Sequence, residues 1–219
     1  MSSLLVKICG LRTAEALEAA LEGGADMVGF VFFAPSPRHV DLATARHLAQ
    51  LVRSPVRKVA LTVDAEDAML AGIIDALRPD LLQLHGQETP ARVRSIKARF
   101  GLPVMKAIAV ERGQDLDAIK IYADVADRLL FDARAPREAT RPGGLGRPLD
   151  WHLLERLDVD LPFMLSGGLD ATNVAEALHI TNAPGVDVSS GVERAPGDKD
   201  PRRIHAFIRA ARASVATVA

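Results

Sequence analysis

The chain has one cysteine in 219 residues, which excludes an internal disulfide and fits a reducing compartment. It also lacks an excess of either charge: 27 lysines and arginines meet 28 aspartates and glutamates. Aromatics make up 4% of residues and interleave with no basic patch, so nucleic acid is not an expected partner. No uncharged apolar run approaches the roughly 18 residues that a membrane helix needs, so no membrane span is expected. The opening Met1-Ser2-Ser3-Leu4-Leu5 has no basic region, long apolar core or cleavage site of a signal peptide. A cytoplasmic location is therefore expected. The six histidines (His39, His47, His85, His152, His179 and His205) show no metal-ligand spacing, and no metal is expected.

What the chain does have is alternation. Short apolar runs at 5–9, 27–33, 58–63, 81–85, 104–110, 128–133, 163–167 and 186–190 read as strands. Helical apolar spacing falls between them at 13–22, 42–53, 65–77, 89–99, 116–122, 150–157, 173–179 and 201–213. Thr13, Asp41, Asp150 and Asp200 stand where N-caps belong. Eight strand–helix units of about 27 residues predict a single α/β domain, a (β/α)8 TIM barrel over 1–213 with a frayed tail at 214–219. An open doubly wound sheet is the main alternative. The longest irregular segment, 133–148, follows the sixth strand on what would be the catalytic face.

Polar residues interrupt these strands near their carboxyl ends, where parallel-sheet enzymes hold their chemistry. Strand alternation puts Lys7 and Cys9 together on the inward face of the first strand. A lone cysteine is often just a small buried hydrophobe. Here, however, Gln83 and His85 share a face of strand four, Asp132 ends strand six, and Asp187 and Ser189 share a face of strand eight. Buried charges are costly unless paired, so their recurrence at one end of a barrel points to a site. Arg38, after strand two, can reach the barrel mouth, where a planar guanidinium suits a carboxylate.

Three glycine clusters follow the last three strands: Gly143-Gly144-Leu145-Gly146, Ser166-Gly167-Gly168 and Ser189-Ser190-Gly191. Amide groups in such turns converge on an anion, and barrels often bind phosphate after strands seven and eight. The glycines match neither a dinucleotide fingerprint nor a phosphate loop ending in Gly-Lys-Ser/Thr.

Taken in order, Val6-Lys7-Ile8-Cys9-Gly10-Leu11, Gly24-Ala25-Asp26-Met27-Val28-Gly29-Phe30, Ser36-Pro37-Arg38 and Leu82-Gln83-Leu84-His85-Gly86 form one pattern. It continues through Phe131-Asp132-Ala133, Gly143-Gly144-Leu145-Gly146, Leu165-Ser166-Gly167-Gly168-Leu169 and Val186-Asp187-Val188-Ser189-Ser190-Gly191-Val192-Glu193. The pattern resembles the phosphoribosylanthranilate isomerase family of tryptophan biosynthesis over nearly the whole domain. The resemblance implies an Amadori rearrangement of N-(5-phosphoribosyl)anthranilate to 1-(2-carboxyphenylamino)-1-deoxyribulose 5-phosphate. It implies Cys9 as general base, Asp132 as general acid, Arg38 on the anthranilate carboxylate and Asp187 near the sugar. Lys7, Gln83 and His85 join the expected substrate-binding set. Gly143, Gly144, Gly146, Gly167, Gly168, Ser189, Ser190 and Gly191 form the expected phosphate site. The implied partner is a phosphosugar, with no cofactor and a monomeric or homodimeric enzyme.

In these roles Asp132 has to carry a proton and Cys9 has to be a thiolate, whereas a free thiol titrates near roughly 8.5. Lys7, one layer down on the same face, or nearby backbone dipoles are expected to lower that value. Leu145, Ser166 and Asp64 depart from residues common in the family, and Asp64 is expected to add an acid near the mouth. A histidine-pathway sugar isomerase would need an aspartate on strand one and a second phosphate loop after strand three. A ribulose-phosphate epimerase-like barrel would need metal ligands. A non-catalytic scaffold would need neither Cys9 nor Asp132.

Overall fold

The computed structural model describes residues 4–136, 138–146, 148–155, 157 and 159–216. Among these, eight parallel strands close into a barrel in chain order. They are β1 (Leu5–Cys9), β2 (Met27–Phe32), β3 (Arg57–Thr62), β4 (Leu81–Leu84), β5 (Val104–Val110), β6 (Arg128–Ala133), β7 (Phe163–Leu165) and β8 (Gly185–Val188). β1 closes the ring, with Lys7 opposite Met27 of β2 and Asp187 of β8. The helices are α1 (Ala14–Glu22), α2 (Leu42–Leu51), α3 (Asp67–Leu77), α4 (Pro90–Phe100), α5 (Ala118–Tyr122), α6 (Val174–Thr181) and α7 (Pro201–Ala216). A two-stranded antiparallel ribbon, β9 (Glu193–Ala195) and β10 (Asp198–Lys199), follows β8. None of the described helices is long and apolar enough to cross a membrane.

The caps are where the side-chain chemistry predicts them. Thr13 accepts from Ala16 N (3.2 Å), Asp41 from Thr44 N (2.7 Å) and Asp200 from Arg202 N (2.9 Å). Among the described residues of 150–157 the expected α-helix is not formed. Asp150 instead caps a single 3-10 turn, Trp151–Leu154. That turn is enough to bury Leu154 fully. The fifth helix is also short, a 3-10 turn at Gly113–Asp117 running into α5. At the other end, α7 extends to Ala216, so part of the tail expected to fray is helical, while 217–219 lie outside the described residues.

Strand alternation sorts the apolar residues into two cores. Val6, Ile8, Val28, Phe30 and their counterparts face outward and pack beneath the helices. Inside the barrel, Met27, Val59, Leu81, Met105, Ala107, Leu130 and Met164 pack with Leu5 into a smaller plug. Three methionines in this plug suit an irregular space enclosed by eight converging strands. The plug fills the amino-terminal half of the barrel, so the polar inward residues lie above it, toward the strands' carboxyl ends.

The amino-terminal face carries a repeated device. Asp26, Asp80 and Asp127 immediately precede β2, β4 and β6, and each accepts from a backbone N–H of the preceding strand. The partners are Val6 N at 2.6 Å, Lys58 N at 2.7 Å and Val104 N at 2.8 Å. Asp26 also pairs with Arg212 of α7 (2.7 Å), tying the last helix to the first two strands. Asp26→Ala is expected to destabilise by about 1–3 kcal/mol through the orphaned N–H, lowering the melting temperature by roughly 3–10 °C. Turnover at ambient temperature should be unchanged, because Asp26 lies at the opposite end of the barrel from the strands' carboxyl ends. An unaltered melting curve would show that the carboxylate contributes nothing there.

Candidate active site

The carboxyl ends of the strands surround a cleft of about 800 Å³, including its open mouth. Cys9 from β1 and Asp132 from β6 both line it, three strands apart around the ring. Gly29, opposite Cys9 on β2, makes room for this inward face: a Cβ there would lie 2.8 Å from Cys9 Sγ and 3.1 Å from Lys7 Cε. His85, just past β4, also lines the cleft and brings Nε2 to 3.3 Å from Asp132 Oδ2. The other carboxylate oxygen of Asp132 accepts from Ala133 N at 2.9 Å. The Gly143 backbone passes directly over this pair, where a Cβ would lie 2.6 Å from Asp132 Oδ2 and 2.9 Å from His85 Nε2. Only glycine allows that approach.

Lys7 and Gln83 lie below the floor, fully buried and outside the cleft lining. Lys7 Nζ donates to Asp187 Oδ1 (2.9 Å) and to Gln83 Oε1 (2.8 Å). They are therefore supports beneath the site rather than groups able to touch a molecule in it, contrary to the sequence expectation. Asp187 both lines the cleft and neutralises Lys7. Burial pulls the Lys7 ammonium down, but the Asp187 carboxylate and the Cys9 thiolate form pull harder, leaving it above the ordinary lysine value.

For Cys9 the balance has the opposite sign from the expectation. Burial dominates and pushes the thiol up, with Lys7 pulling down and Asp187 pushing up. Lys7 does favour the thiolate, but it is outweighed, because Asp187 neutralises much of its field and the sulfur is almost wholly out of water.

The mouth is organised by a buried cluster that sequence reasoning missed. Arg38 makes a two-pronged pair with Glu193, Nε to Oε1 at 2.8 Å and Nη2 to Oε2 at 2.7 Å. Lys199 donates to the same carboxylate (2.8 Å) and to the Ser189 carbonyl (2.9 Å). Burial brings Lys199 down to about 8, while Arg38 and Lys199 together hold Glu193 below the usual carboxylate range. Arg38 thus keeps both Nη1 hydrogens, on the side facing Gly144, and the second Nη2 hydrogen for a ligand. Glu193 sits inside the matched strand-eight motif, but nothing in sequence indicates that the β9–β10 ribbon folds Lys199 back onto it. Arg141 was also missed. It lines the cleft near Arg38, and its Nε is buried with no hydrogen-bond partner among the described residues. Burial and the Arg38 charge both lower its pKa.

The glycine turns converge as their order suggests. Gly143, Gly144 and Gly146 line the cleft after β6, Gly167 and Gly168 after β7, and Ser189 and Ser190 after β8. Gly191 does not. A Cβ there would collide with the carbonyl of Leu169, so this glycine serves close packing between two loops. Leu145 and Ser166 line the cleft, but Asp64 does not: its Oδ1 accepts from Gln87 N (2.7 Å), tying the third loop to the fourth.

The family profile described as N-(5'phosphoribosyl)anthranilate (PRA) isomerase matches residues 6–210. An N-(5'-phosphoribosyl)anthranilate isomerase of Bradyrhizobium diazoefficiens is 68% identical over 212 residues, covering 97% of this chain and 95% of that protein. The corresponding protein of Nitrobacter winogradskyi is 66% identical, with 97% and 94% covered. The crystal structure of phosphoribosyl anthranilate isomerase from Thermotoga maritima superposes with a TM-score of 0.87 at 33% identity, covering 96% of this chain and 99% of that one. Another, in complex with reduced 1-(o-carboxyphenylamino)-1-deoxyribulose 5-phosphate, reaches 0.81 at 31% identity over the same shares. By profile, sequence and fold alike, this chain is an isomerase and belongs to the N-(5'-phosphoribosyl)anthranilate isomerase family.

Proposed function

We propose that the chain converts N-(5-phosphoribosyl)anthranilate to 1-(2-carboxyphenylamino)-1-deoxyribulose 5-phosphate in tryptophan synthesis, with Asp132 as general acid and Cys9 as general base. The observation that carries this reading is the placement of Cys9 and Asp132 in one cleft roofed by glycine turns from three consecutive strands. Asp132 gives its proton to the furanose ring oxygen as the ring C1–O bond breaks, and the anilino nitrogen lone pair forms an iminium. That positive nitrogen acidifies the C2 proton, which the Cys9 thiolate takes, and the electron pair of the C2–H bond moves to give an enolamine. The enolamine tautomerises to the ketone, and the acid and base return to their starting states by proton exchange with water.

The rest of the cleft matches the substrate's two charged ends. The amide-lined turns after β6, β7 and β8 suit the single phosphate without a side-chain cation. Arg38 Nη1, beside Gly144, and Arg141 suit the anthranilate carboxylate. The Glu193 pairing holds the Arg38 fork fixed, so binding loses little side-chain entropy there. The dimeric phosphoribosylanthranilate isomerase of Thermotoga maritima has also been solved as monomers. For this chain either a monomer or a homodimer accommodates the site, because every residue invoked comes from one chain.

Cys9→Ser and Asp132→Asn should each lower kcat by about a hundredfold or more, read as loss of anthranilate-type fluorescence decay, while inorganic phosphate still binds. Unfolding of both variants would instead mark the two residues as structural. Because burial raises the Cys9 thiol, the thiolate forms only as pH climbs through the elevated value. The kcat/KM of the free enzyme should therefore keep rising past the ordinary thiol range, and Lys7→Met should move that limb further upward. A limb that Lys7→Met leaves in place would show that another group titrates. Arg141→Ala should raise KM about tenfold, the scale of one charge-assisted hydrogen bond, with little change in kcat.

A further inference from the structure

From the cleft wall at β8, through the buried floor and up to β6, a chain of polar side chains crosses the barrel, hydrogen-bonded as far as His85 and ending on a close His85–Asp132 approach. Asp187 Oδ1 accepts from Lys7 Nζ (2.9 Å), and Gln83 Oε1 accepts from the same ammonium (2.8 Å). Gln83 Nε2 then stands 3.0 Å from His85 Nδ1, and His85 Nε2 stands 3.3 Å from Asp132 Oδ2. Every member comes from a different strand or strand end except Gln83 and His85, which flank Leu84 at the end of β4.

The ends of this chain dictate its middle. An ammonium has three donors and no acceptor, so the Gln83 atom facing Lys7 has to be the carbonyl oxygen. The other amide atom is then NH2, which only donates, so His85 Nδ1 has to accept with its lone pair. A neutral ring with Nδ1 unprotonated carries its hydrogen on Nε2, and that nitrogen faces Asp132. The usual ambiguities of amide orientation and imidazole tautomer are thus removed by one donor-only cation at the head of the chain. Gln83 has no alternative rotation, because it is fully buried and turning the amide would set NH2 against NH3⁺.

We propose that Lys7 and Gln83 are positioning residues that lock His85 in the Nε2–H tautomer, so that His85 cannot take the proton Asp132 must deliver to substrate. The inference rests on the reading of Asp132 as the acid. In this tautomer the ring offers Asp132 no lone pair. Its Nε2–H instead lies 3.3 Å from the carboxylate left behind after proton transfer, whose other oxygen already accepts from Ala133 N. The N–H is not aligned on that oxygen as a hydrogen bond in this state, and catalytic hydrogen bonds commonly align and tighten only once substrate fills the site. The opposite tautomer would put a bare Nε2 lone pair beside the acid, giving the proton a competing destination. The arrangement also explains why a lysine lies fully buried under the floor without touching the cleft.

Nitrogen-15 spectra of the full-length protein labelled at histidine read the tautomer directly, with the His85 signals assigned by their loss in His85→Asn. The expected result is an unprotonated Nδ1 and a protonated Nε2 at neutral pH. Gln83→Glu keeps the shape and the partner for Lys7, but presents an acceptor to His85. Nδ1 should become protonated, and kcat should fall roughly 10–100-fold with KM changed less than about threefold. A protonated Nδ1 in the parent protein, or a Gln83→Glu spectrum identical to the parent's, would overturn the lock. So would a tautomer change that leaves kcat intact. Full turnover by Asp132→Asn would instead sink the acid assignment, an outcome separable from the lock because the His85 spectrum is read without substrate.

Discussion

One buried cation organises this molecule's chemistry. The Lys7 ammonium is out of water at the centre of a barrel, above a plug of methionine, leucine and valine. An uncompensated charge there would cost many kcal/mol, so its partners are obligatory. Asp187 across the β1–β8 seam supplies the countercharge, and Gln83 supplies the second acceptor. From that one requirement follows the orientation of the Gln83 amide, whose oxygen has to face the ammonium. Cys9 lies above the same ammonium, on the same face of the same strand.

A second charged cluster does for the mouth what Lys7 does for the floor. Arg38, Glu193 and Lys199 are each nearly buried, and two cations share one carboxylate. Two cations on one anion leave a net positive field at the rim, and Arg141 adds to it. Backbone amides released by glycine lie beside these guanidinium groups: Gly144 faces Arg38, and Arg141 belongs to the same loop as Gly143, Gly144 and Gly146. Side-chain cations and peptide dipoles thus share the rim of the cleft.

Much of this was legible in the order of residues. Two-residue alternation put Lys7 and Cys9 on a shared inward face, and the polar interruptions Gln83, His85, Asp132 and Asp187 all fell at strand carboxyl ends. Caps at Thr13, Asp41 and Asp200 marked helix starts, because a short side-chain oxygen meeting a free N–H is a local event. The misreadings were about burial and partnership. The 150–157 stretch has helical spacing, but one 3-10 turn already buries its key leucine. Gly191 looked like its neighbours in the serine–glycine turn, yet its lack of a Cβ serves the Leu169 carbonyl. Lys7 and Gln83 looked like ligand contacts, because alternation gives the face of a strand but not the depth along the barrel axis.

The amino-acid order determined by itself the eightfold alternation, the inward faces and the end of the barrel that carries the chemistry, because these follow from local backbone periodicity. The tertiary structure alone decided which charges neutralise one another: Lys7 with Asp187 across 180 residues, and Arg38 with Glu193 across 155. It also decided that the Cys9 thiol is raised rather than lowered. Those outcomes depend on desolvation and on distances between strands far apart in sequence, and neither quantity exists until the ring has closed.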